Sequence, residues 1–254
     1  MVGRIDRSAS GGIITLMPSE AETTNSIRSR AVKFSSCLGA LVVSLCFLCA
    51  CGSKLPKLRE QLNGPEPEMR IAAIRALTDA KDTVSVPRIA ELLQDSVPDV
   101  RKAAAIGLGI IGDTRACQPL ADLFDSEQQE DIQGAAVRAL VHLGPHSVRP
   151  LIGLLRSSRS IVRGGAAHAL GKLKARDAVD PLIWLLRDRF PEVKQAAIQA
   201  LRQIGDERGL YAIASSVQDT DQDVERAAER ALSGEGYQEQ LNKAKRKIRQ
   251  LPYP

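Results

Sequence analysis

Aromatic side chains are scarce in this chain of 254 residues: they make up 3% of it and include a single Trp. A β-sandwich or β-barrel fills its core with aromatic and β-branched residues, so this scarcity argues against both folds. The chain is instead rich in Ala, Leu, Arg and Glu, which favour helices. Its apolar share of 44% is too high for an intrinsically disordered chain. The composition therefore predicts a helical protein of one or two domains.

The cysteines cannot form a disulfide framework. Four of the five lie together in one apolar stretch, and Cys117 is alone in the rest of the sequence. A disulfide-rich domain needs cysteines that are spread along the chain. Cys117 opens a predicted helix and is either a reactive thiol or a small buried side chain.

The N-terminal region is predicted to carry a targeting signal. Basic residues at positions 28, 30 and 33 precede an apolar run over residues 34–50, an order that is typical of a secretory signal peptide. The run ends in the tetrapeptide LCAC, which resembles the lipobox of bacterial lipoproteins. This resemblance implies removal of residues 1–50 and lipidation of Cys51. Met17 is an alternative start, which would make residues 1–16 an extension that does not belong to the signal.

Two other interpretations of the apolar run stay open. About 20 apolar residues span a bilayer, so the run could be an uncleaved anchor, and it could also be a buried core helix. The lipoprotein and the anchor both attach the chain to a membrane. The positive-inside rule then places the remainder outside the cytoplasm. We therefore expect a cell-envelope protein that faces the periplasm or the exterior.

The remaining sequence repeats one unit. The segment VRKAAAIGLGIIG begins at Val100, and modified copies begin at Ile132 and Val193. Its Leu recurs at intervals of 30 to 32 residues, at positions 77, 108, 140, 170, 201 and 232. A Leu-rich segment with an early Pro lies between the copies, and Pro is favoured in the first turn of a helix. Apolar residues within each copy follow the helical period, so each unit is predicted to be two short helices, A and then B.

These units predict an all-α solenoid of about six helix pairs, because a single pair cannot bury its apolar face. A linker at residues 51–53 precedes the array, which covers residues 54–236. Residues 237–254 are predicted to form a basic capping helix and tail. The unit boundaries lie near 54–84, 85–115, 116–147, 148–176, 177–207 and 208–236.

The repeat resembles the HEAT family in its short bacterial form, which also occurs in phycobilin lyases. The resemblance implies that the B helices line a concave surface. It also implies an ion pair within each unit, between an Asp of the turn and a basic residue early in helix B. The matching pairs are Asp95 with Arg101 and Asp188 with Lys194. Gln133 and Glu225 stand at the basic position in units 3 and 6, so the series is interrupted there.

One face of the B helices is rich in basic residues. Positions one, five and eight residues after the basic position lie on one side of helix B, away from its Ala/Leu seam. Six of these eighteen positions are Lys or Arg and none is acidic, although residues 52–234 carry 25 charges of each sign. The candidate binding residues on this face are Arg75, Lys102, Arg138, His168, Gln199, Arg202, Arg226 and Arg230. The alternative is that exposed helix faces carry Arg for solubility alone.

Three further features bear on this surface. Glycines at positions 109, 134, 164 and 171 lie at its centre, where a partner's backbone could approach closely. His168 is expected to add positive charge below about pH 6.5. Trp184 lies on a predicted helix A, in a slot that other units fill with polar or small residues, so it is expected to be exposed. It is either an interface anchor or packed over the adjacent repeat.

The sequence gives little sign of catalysis. Its three His residues, His142, His146 and His168, have no Asp or Glu beside them, so no metal-ligand set can be named. A Gly-rich phosphate loop, a nucleophile elbow and paired carboxylates are missing as well. We therefore expect no cofactor and no metal. The neutral array also lacks the basic excess of a nucleic-acid-binding protein.

The sequence favours a non-enzymatic, membrane-tethered scaffold that binds a protein or an acidic peptide on its concave face. Two alternatives remain. One is a tetrapyrrole chaperone or lyase, which the likeness to phycobilin lyases implies but a secretion signal opposes. The other is a HEAT-like DNA-binding protein, which the neutral array opposes.

Overall fold

The computed structural model describes residues 54–216 and 221–233, together with residues 237, 239 and 242. Within them the chain forms twelve α-helices and no β-strand, so the predicted all-α solenoid is confirmed. The A helices are α1 (Leu55–Gln61), α3 (Val86–Glu91), α5 (Cys117–Ser126), α7 (Val148–Leu154), α9 (Val179–Leu185) and α11 (Glu207–Ser215). The B helices are α2 (Pro67–Asp79), α4 (Pro98–Ile111), α6 (Glu130–His142), α8 (Ser160–Lys172), α10 (Pro191–Ile204) and α12 (Gln222–Ala231).

Two predicted features fall elsewhere. The apolar run and Cys51 lie outside the described residues, as does nearly all of the predicted C-terminal helix. In the part of the chain that the structure describes, no helix is both long enough and apolar enough to cross a membrane.

Pro and Gly set the ends of the B helices. Pro67, Pro98 and Pro191 stand in the first turn of α2, α4 and α10, where an N–H group would have no helical partner. Helices α4 and α10 end at Gly112 and Gly205, whose φ angles are 81° and 72°. Such left-handed residues stop a helix and let the chain turn toward the next A helix.

The core lies between the two helices of each unit and continues from unit to unit. The recurring Leu of helix B is 0% exposed in all six units, at positions 77, 108, 140, 170, 201 and 232. Neighbouring Ala residues, such as Ala104 and Ala166, are equally buried. Successive B helices pack against one another more extensively than successive A helices do. We call the B helices, which were expected to line a concave surface, the inner row and the A helices the outer row.

The ion pairs made by the basic position of helix B join consecutive units rather than the two helices of one unit. Arg70 donates to the carboxylate of Asp95 at 2.9 Å, and Arg163 donates twice to Asp188, at 2.7 and 2.8 Å. In each case the acid lies in the turn of the following unit. The pair predicted within unit 2 is therefore wrong, and the carboxylate of Asp188, which was predicted to pair within unit 5, is bound by Arg163. Arg101 reaches the backbone carbonyl of Asp95 instead, at 2.9 Å.

The junction between units 3 and 4 lacks such an ion pair, as the Gln at the basic position predicts. Gln133 donates to the backbone carbonyl of Glu127 at 2.6 Å, and Ser157 stands where the turns of units 2, 3 and 5 have an acid. This junction is bridged by Arg159, whose guanidinium donates to the backbone carbonyls of Asp125 and Glu127 at 2.6 and 2.7 Å.

Candidate binding surfaces

The structure places one predicted column of side chains on the exposed side of the inner row. These are the residues five positions after the basic position of helix B, and all six are exposed: Arg75, Ile106, Arg138, His168, Gln199 and Arg230. They recur once per B helix, so stacking of the units aligns them along one surface.

The column eight positions after the basic position was assigned to the wrong side in half of the units. Thr78, Gly109 and Gly171 are buried. A Cβ added to Gly109 would lie 2.8 Å from the Cβ of Ala139, and one added to Gly171 would lie 2.7 Å from the Cα of Ala200. These two glycines therefore allow successive B helices to approach each other and are not open to a partner's backbone. Arg202, in the same column of unit 5, is exposed.

A neighbouring exposed column was not among the predicted positions. Ile110, His142 and Lys172 lie one helical turn beyond the exposed column and are themselves exposed. The helical period contains this signal, since residues four apart share a face. In units 3 and 4 the two columns together present Arg138, His142, His168 and Lys172, with no acid among them.

The basic residues of the inner row differ in how far they are neutralised. Lys102 lies 2.8 Å from a carboxylate oxygen of Asp131, and Arg226 lies 3.3 Å from one of Asp223. Arg230 donates to a backbone carbonyl at 3.2 Å. Among the described residues, Arg75, Arg138 and Arg202 make no ion pair. The charges of these three side chains are therefore available to a ligand.

Two cavities open on the inner row and differ in character. One of about 660 Å³ is lined by Lys172, Lys174 and Arg202 together with Gln and Gly residues and Tyr237, and includes no acid. The other, of about 460 Å³, lies between α2 and α4 and has an apolar side that includes Ile106 and Ile110. These two side chains are 43% and 48% exposed.

His168 does not titrate where the sequence suggested. Partial burial lowers the pKa of its imidazole below 6.5, and the charge of Lys172 lowers it further. The ring therefore gains its charge only at a more acidic pH than an ordinary histidine.

Trp184 lies on the outer row and is 72% exposed. The alternative in which its ring packs over the adjacent repeat is therefore wrong. The guanidinium of Arg187 lies 5.9 Å from the ring centroid, within the range of a cation–π contact. A cavity of about 970 Å³ opens beside the indole, between α7 and α9.

The structure gives little support for a reactive thiol or a metal site. Cys117 is 5% exposed, and burial followed by the charge of Asp113 raises the pKa of its thiol. Both observations favour a buried structural side chain over a reactive thiolate. Over the described ranges, no group of three or more His, Cys, Asp or Glu residues is arranged to hold a metal ion.

The family follows from the repeats. The sequence model of the HEAT repeats matches residues 55–141 and 148–233. The chain belongs to the HEAT-repeat family. The boundary between the two matched segments falls at the junction of units 3 and 4, where the Arg–acid pair is absent. A comparison with curated proteins gives no match.

Solved repeat structures resemble this HEAT-repeat chain at low sequence identity. An engineered protein is 22% identical, with 75% of this chain and 97% of that one covered and a TM-score of 0.44. A designed armadillo repeat protein in complex with the peptide (KR)4 is 21% identical, covers 71% and 98%, and has a TM-score of 0.42. Human deoxyhypusine hydroxylase in complex with glycerol is 18% identical, with 84% and 95% covered and a TM-score of 0.40.

Proposed function

We propose that this HEAT-repeat protein is a non-enzymatic interaction scaffold of the cell envelope that binds an acidic segment of a partner protein along its inner row. The observation that carries the proposal is the charge of units 3 to 5. Arg138, Lys172 and Arg202 are exposed there, and none of the described ion pairs involves them. An extended acidic segment would satisfy these groups with charge-assisted hydrogen bonds.

The apolar patch of unit 2 adds a second type of contact. Ile106 and Ile110 are exposed side by side above a cavity, one unit before the basic residues of unit 3. A partner segment with an apolar residue ahead of its acidic stretch would match this order. Apolar contacts supply affinity, while exposed charges mainly set specificity and the rate of association.

Charge reversal on the inner row tests the proposal. Arg138→Glu with Arg202→Glu should weaken binding of a short labelled peptide rich in Glu and Asp by at least about tenfold, or 1.4 kcal/mol. Lys54→Glu with Lys57→Glu, an equal charge change at two exposed sites at the start of the outer row, is the matched control. Binding of the unaltered protein should also weaken as salt rises. Unchanged affinity after the inner reversal, measured by fluorescence anisotropy, would contradict the proposed site.

Membrane tethering is a separate part of the proposal and rests on the sequence of residues 28–51. The basic residues, the apolar run and the LCAC tetrapeptide support lipidation of Cys51. A bacterial host that expresses the chain should incorporate labelled palmitate into it, and Cys51→Ala should abolish this labelling and block processing. A Cys51→Ala protein that is cleaved normally and recovered as a water-soluble protein would contradict the lipid anchor.

A further inference from the structure

A groove on the outer row has no role in the proposed function. It lies between α7 and α9, the A helices of units 4 and 5, and encloses about 970 Å³. Ile152, Leu155 and Leu185 contribute apolar surface, and the indole of Trp184 stands at its side. Three arginines, Arg149, Arg156 and Arg187, also line it. We call this surface the Trp184 groove.

Gly153 leaves space in the groove next to the indole. It occupies in unit 4 the slot that Trp184 occupies in unit 5, while units 2 and 3 carry Glu91 and Asp122 there. A Cβ added to Gly153 would meet no heavy atom within 4 Å. The space beside Trp184 is therefore open, and a side chain longer than hydrogen at position 153 would enter it.

The arginines of the groove, unlike its carboxylates, have charges that are available to a ligand. Its two carboxylates are already engaged: Asp180 lies 3.0 Å from Arg208, and Asp188 is bound twice by Arg163. Arg149 and Arg156 make no ion pair with any described residue. The guanidinium of Arg187 lies beside the Trp184 ring. Within the described part of the chain it likewise makes no ion pair.

We propose that the Trp184 groove docks an acidic peptide segment of a partner protein that carries one aromatic or long aliphatic side chain. The apolar side chain enters the space between Gly153 and Trp184, and flanking carboxylates bind the three arginines. Trp and Arg are the residue types that contribute most to binding at protein interfaces. The shape favours a peptide over a lipid surface, because the open space lies between two helices, where a peptide side chain can reach.

The single Trp of the chain makes the groove directly observable. The full-length protein is titrated with Trp-free acidic peptides whose central residue is Phe, Tyr, Leu or Ile, and the emission of Trp184 is recorded. We expect at least one of the four to bury the indole and shift its emission to shorter wavelength. The same peptide with central Ala, or with Lys in place of Glu and Asp, should bind at least tenfold more weakly.

Substitutions at Gly153 provide matched variants, because a side chain at this position enters open space and should leave the fold intact. Gly153→Gln fills the groove without charge, and Gly153→Glu adds the acid found in units 2 and 3. Both should weaken the fluorescence-detected binding at least tenfold, with a larger effect of Glu, whereas Gly153→Ala should leave it nearly unchanged. Circular dichroism and the melting temperature verify that each variant is folded.

Three results would overturn the proposal: none of the four acidic peptides changes Trp184 emission, the Lys peptides change it equally, or only phosphatidylglycerol vesicles do so. Equal binding by Gly153→Gln and the unaltered protein would overturn the assigned position of the apolar side chain and, with it, the proposal. The test is independent of the inner row. Arg138→Glu with Arg202→Glu should leave the Trp184 signal intact, so failure at one surface is distinguishable from failure at the other.

Discussion

The guanidinium of Arg163 in unit 4 forms two parallel hydrogen bonds with the carboxylate of Asp188 in unit 5, at 2.7 and 2.8 Å. The same guanidinium donates to the backbone carbonyl of Ser157 in its own unit at 2.8 Å. One side chain thus holds the turn of its unit and the turn of the next. Burial alone would raise the pKa of Asp188, but hydrogen bonds from Arg163 and from the N–H of Phe190 outweigh it and lower the pKa.

Removal of one partner of this ion pair should destabilise the array. Asp188→Ser leaves the guanidinium of Arg163, which is about nine-tenths buried, without a carboxylate. We expect a loss of about 2–3 kcal/mol in the free energy of unfolding, measured by urea denaturation. Arg208→Gln, at an ion pair whose side chains are 59% and 69% exposed, is the control and should change stability little.

The double variant Arg163→Gln with Asp188→Ser recreates the pair found at the junction of units 3 and 4. Gln133 donates to a turn carbonyl there, and Ser157 accepts from the backbone N–H of Arg159. The double variant should therefore recover at least about 1 kcal/mol relative to Asp188→Ser alone. Simple addition of the two single losses would show that the two side chains do not act as a pair.

The register of these pairs shows where the sequence was insufficient. Repetition of Leu and Ala predicted the helix pairs, because burial of a helical stripe leaves a regular pattern in sequence. The partner of the turn acid Asp95 was assigned wrongly: basic residues stand at positions 70 and 101, and spacing cannot say which of them stacking brings near. That choice depends on the geometry between units, which local sequence does not encode.

The exposed face of the B helices could likewise be predicted only in part. The column through Arg138 and His168 was placed correctly because it lies opposite the Ala/Leu seam. Gly109 and Gly171 were misplaced because close approach of consecutive B helices buries positions that a single helix would expose. The Trp184 groove could not be predicted, since it requires the space in front of Gly153 in the preceding unit.

Two glycines should respond in opposite ways to the same substitution. In Gly171→Ala the new Cβ would lie 2.7 Å from the Cα of Ala200, so α8 and α10 must separate, at a cost of about 1–3 kcal/mol. In Gly153→Ala the Cβ enters open space, and the gain in helix propensity should stabilise the protein by about 0.5–1 kcal/mol. Thermal unfolding of both variants measures the difference. A similar loss in both would contradict the packing described for the inner row.

Stability in acid should depend on Asp82. Hydrogen bonds from Arg59, at 2.6 and 2.8 Å, lower the pKa of this buried carboxyl below its ordinary value of 3.8. The stabilisation that this ion pair contributes is present above the ordinary pKa of Asp82, and it is lost as the pH falls through the lowered pKa. The free energy of unfolding of Asp82→Asn should therefore fall less steeply between neutral pH and about pH 3 than that of the unaltered protein. Arg59→Met should flatten the profile in the same way, and an unchanged slope in both variants would contradict this assignment.

His168 should report on charge at the inner row. Its pKa is lowered first by burial and then by Lys172, so the folded state favours the neutral imidazole. The unfolded chain binds the proton more readily, and protonation of His168 therefore reduces stability as pH falls through the ordinary and then the lowered pKa. An NMR titration of the ring should give a midpoint below 6.5, and Lys172→Gln should raise it.

The same titration tests whether an acidic ligand occupies the inner row. Carboxylates placed beside His168 and Lys172 favour the charged imidazole, so a peptide rich in Glu and Asp should raise the pKa of His168. Because binding and protonation are linked, the peptide must then bind more tightly as pH falls through that pKa. A peptide that binds the protein but leaves the His168 midpoint unchanged would be bound elsewhere, and the inner row would then be only a solvated surface.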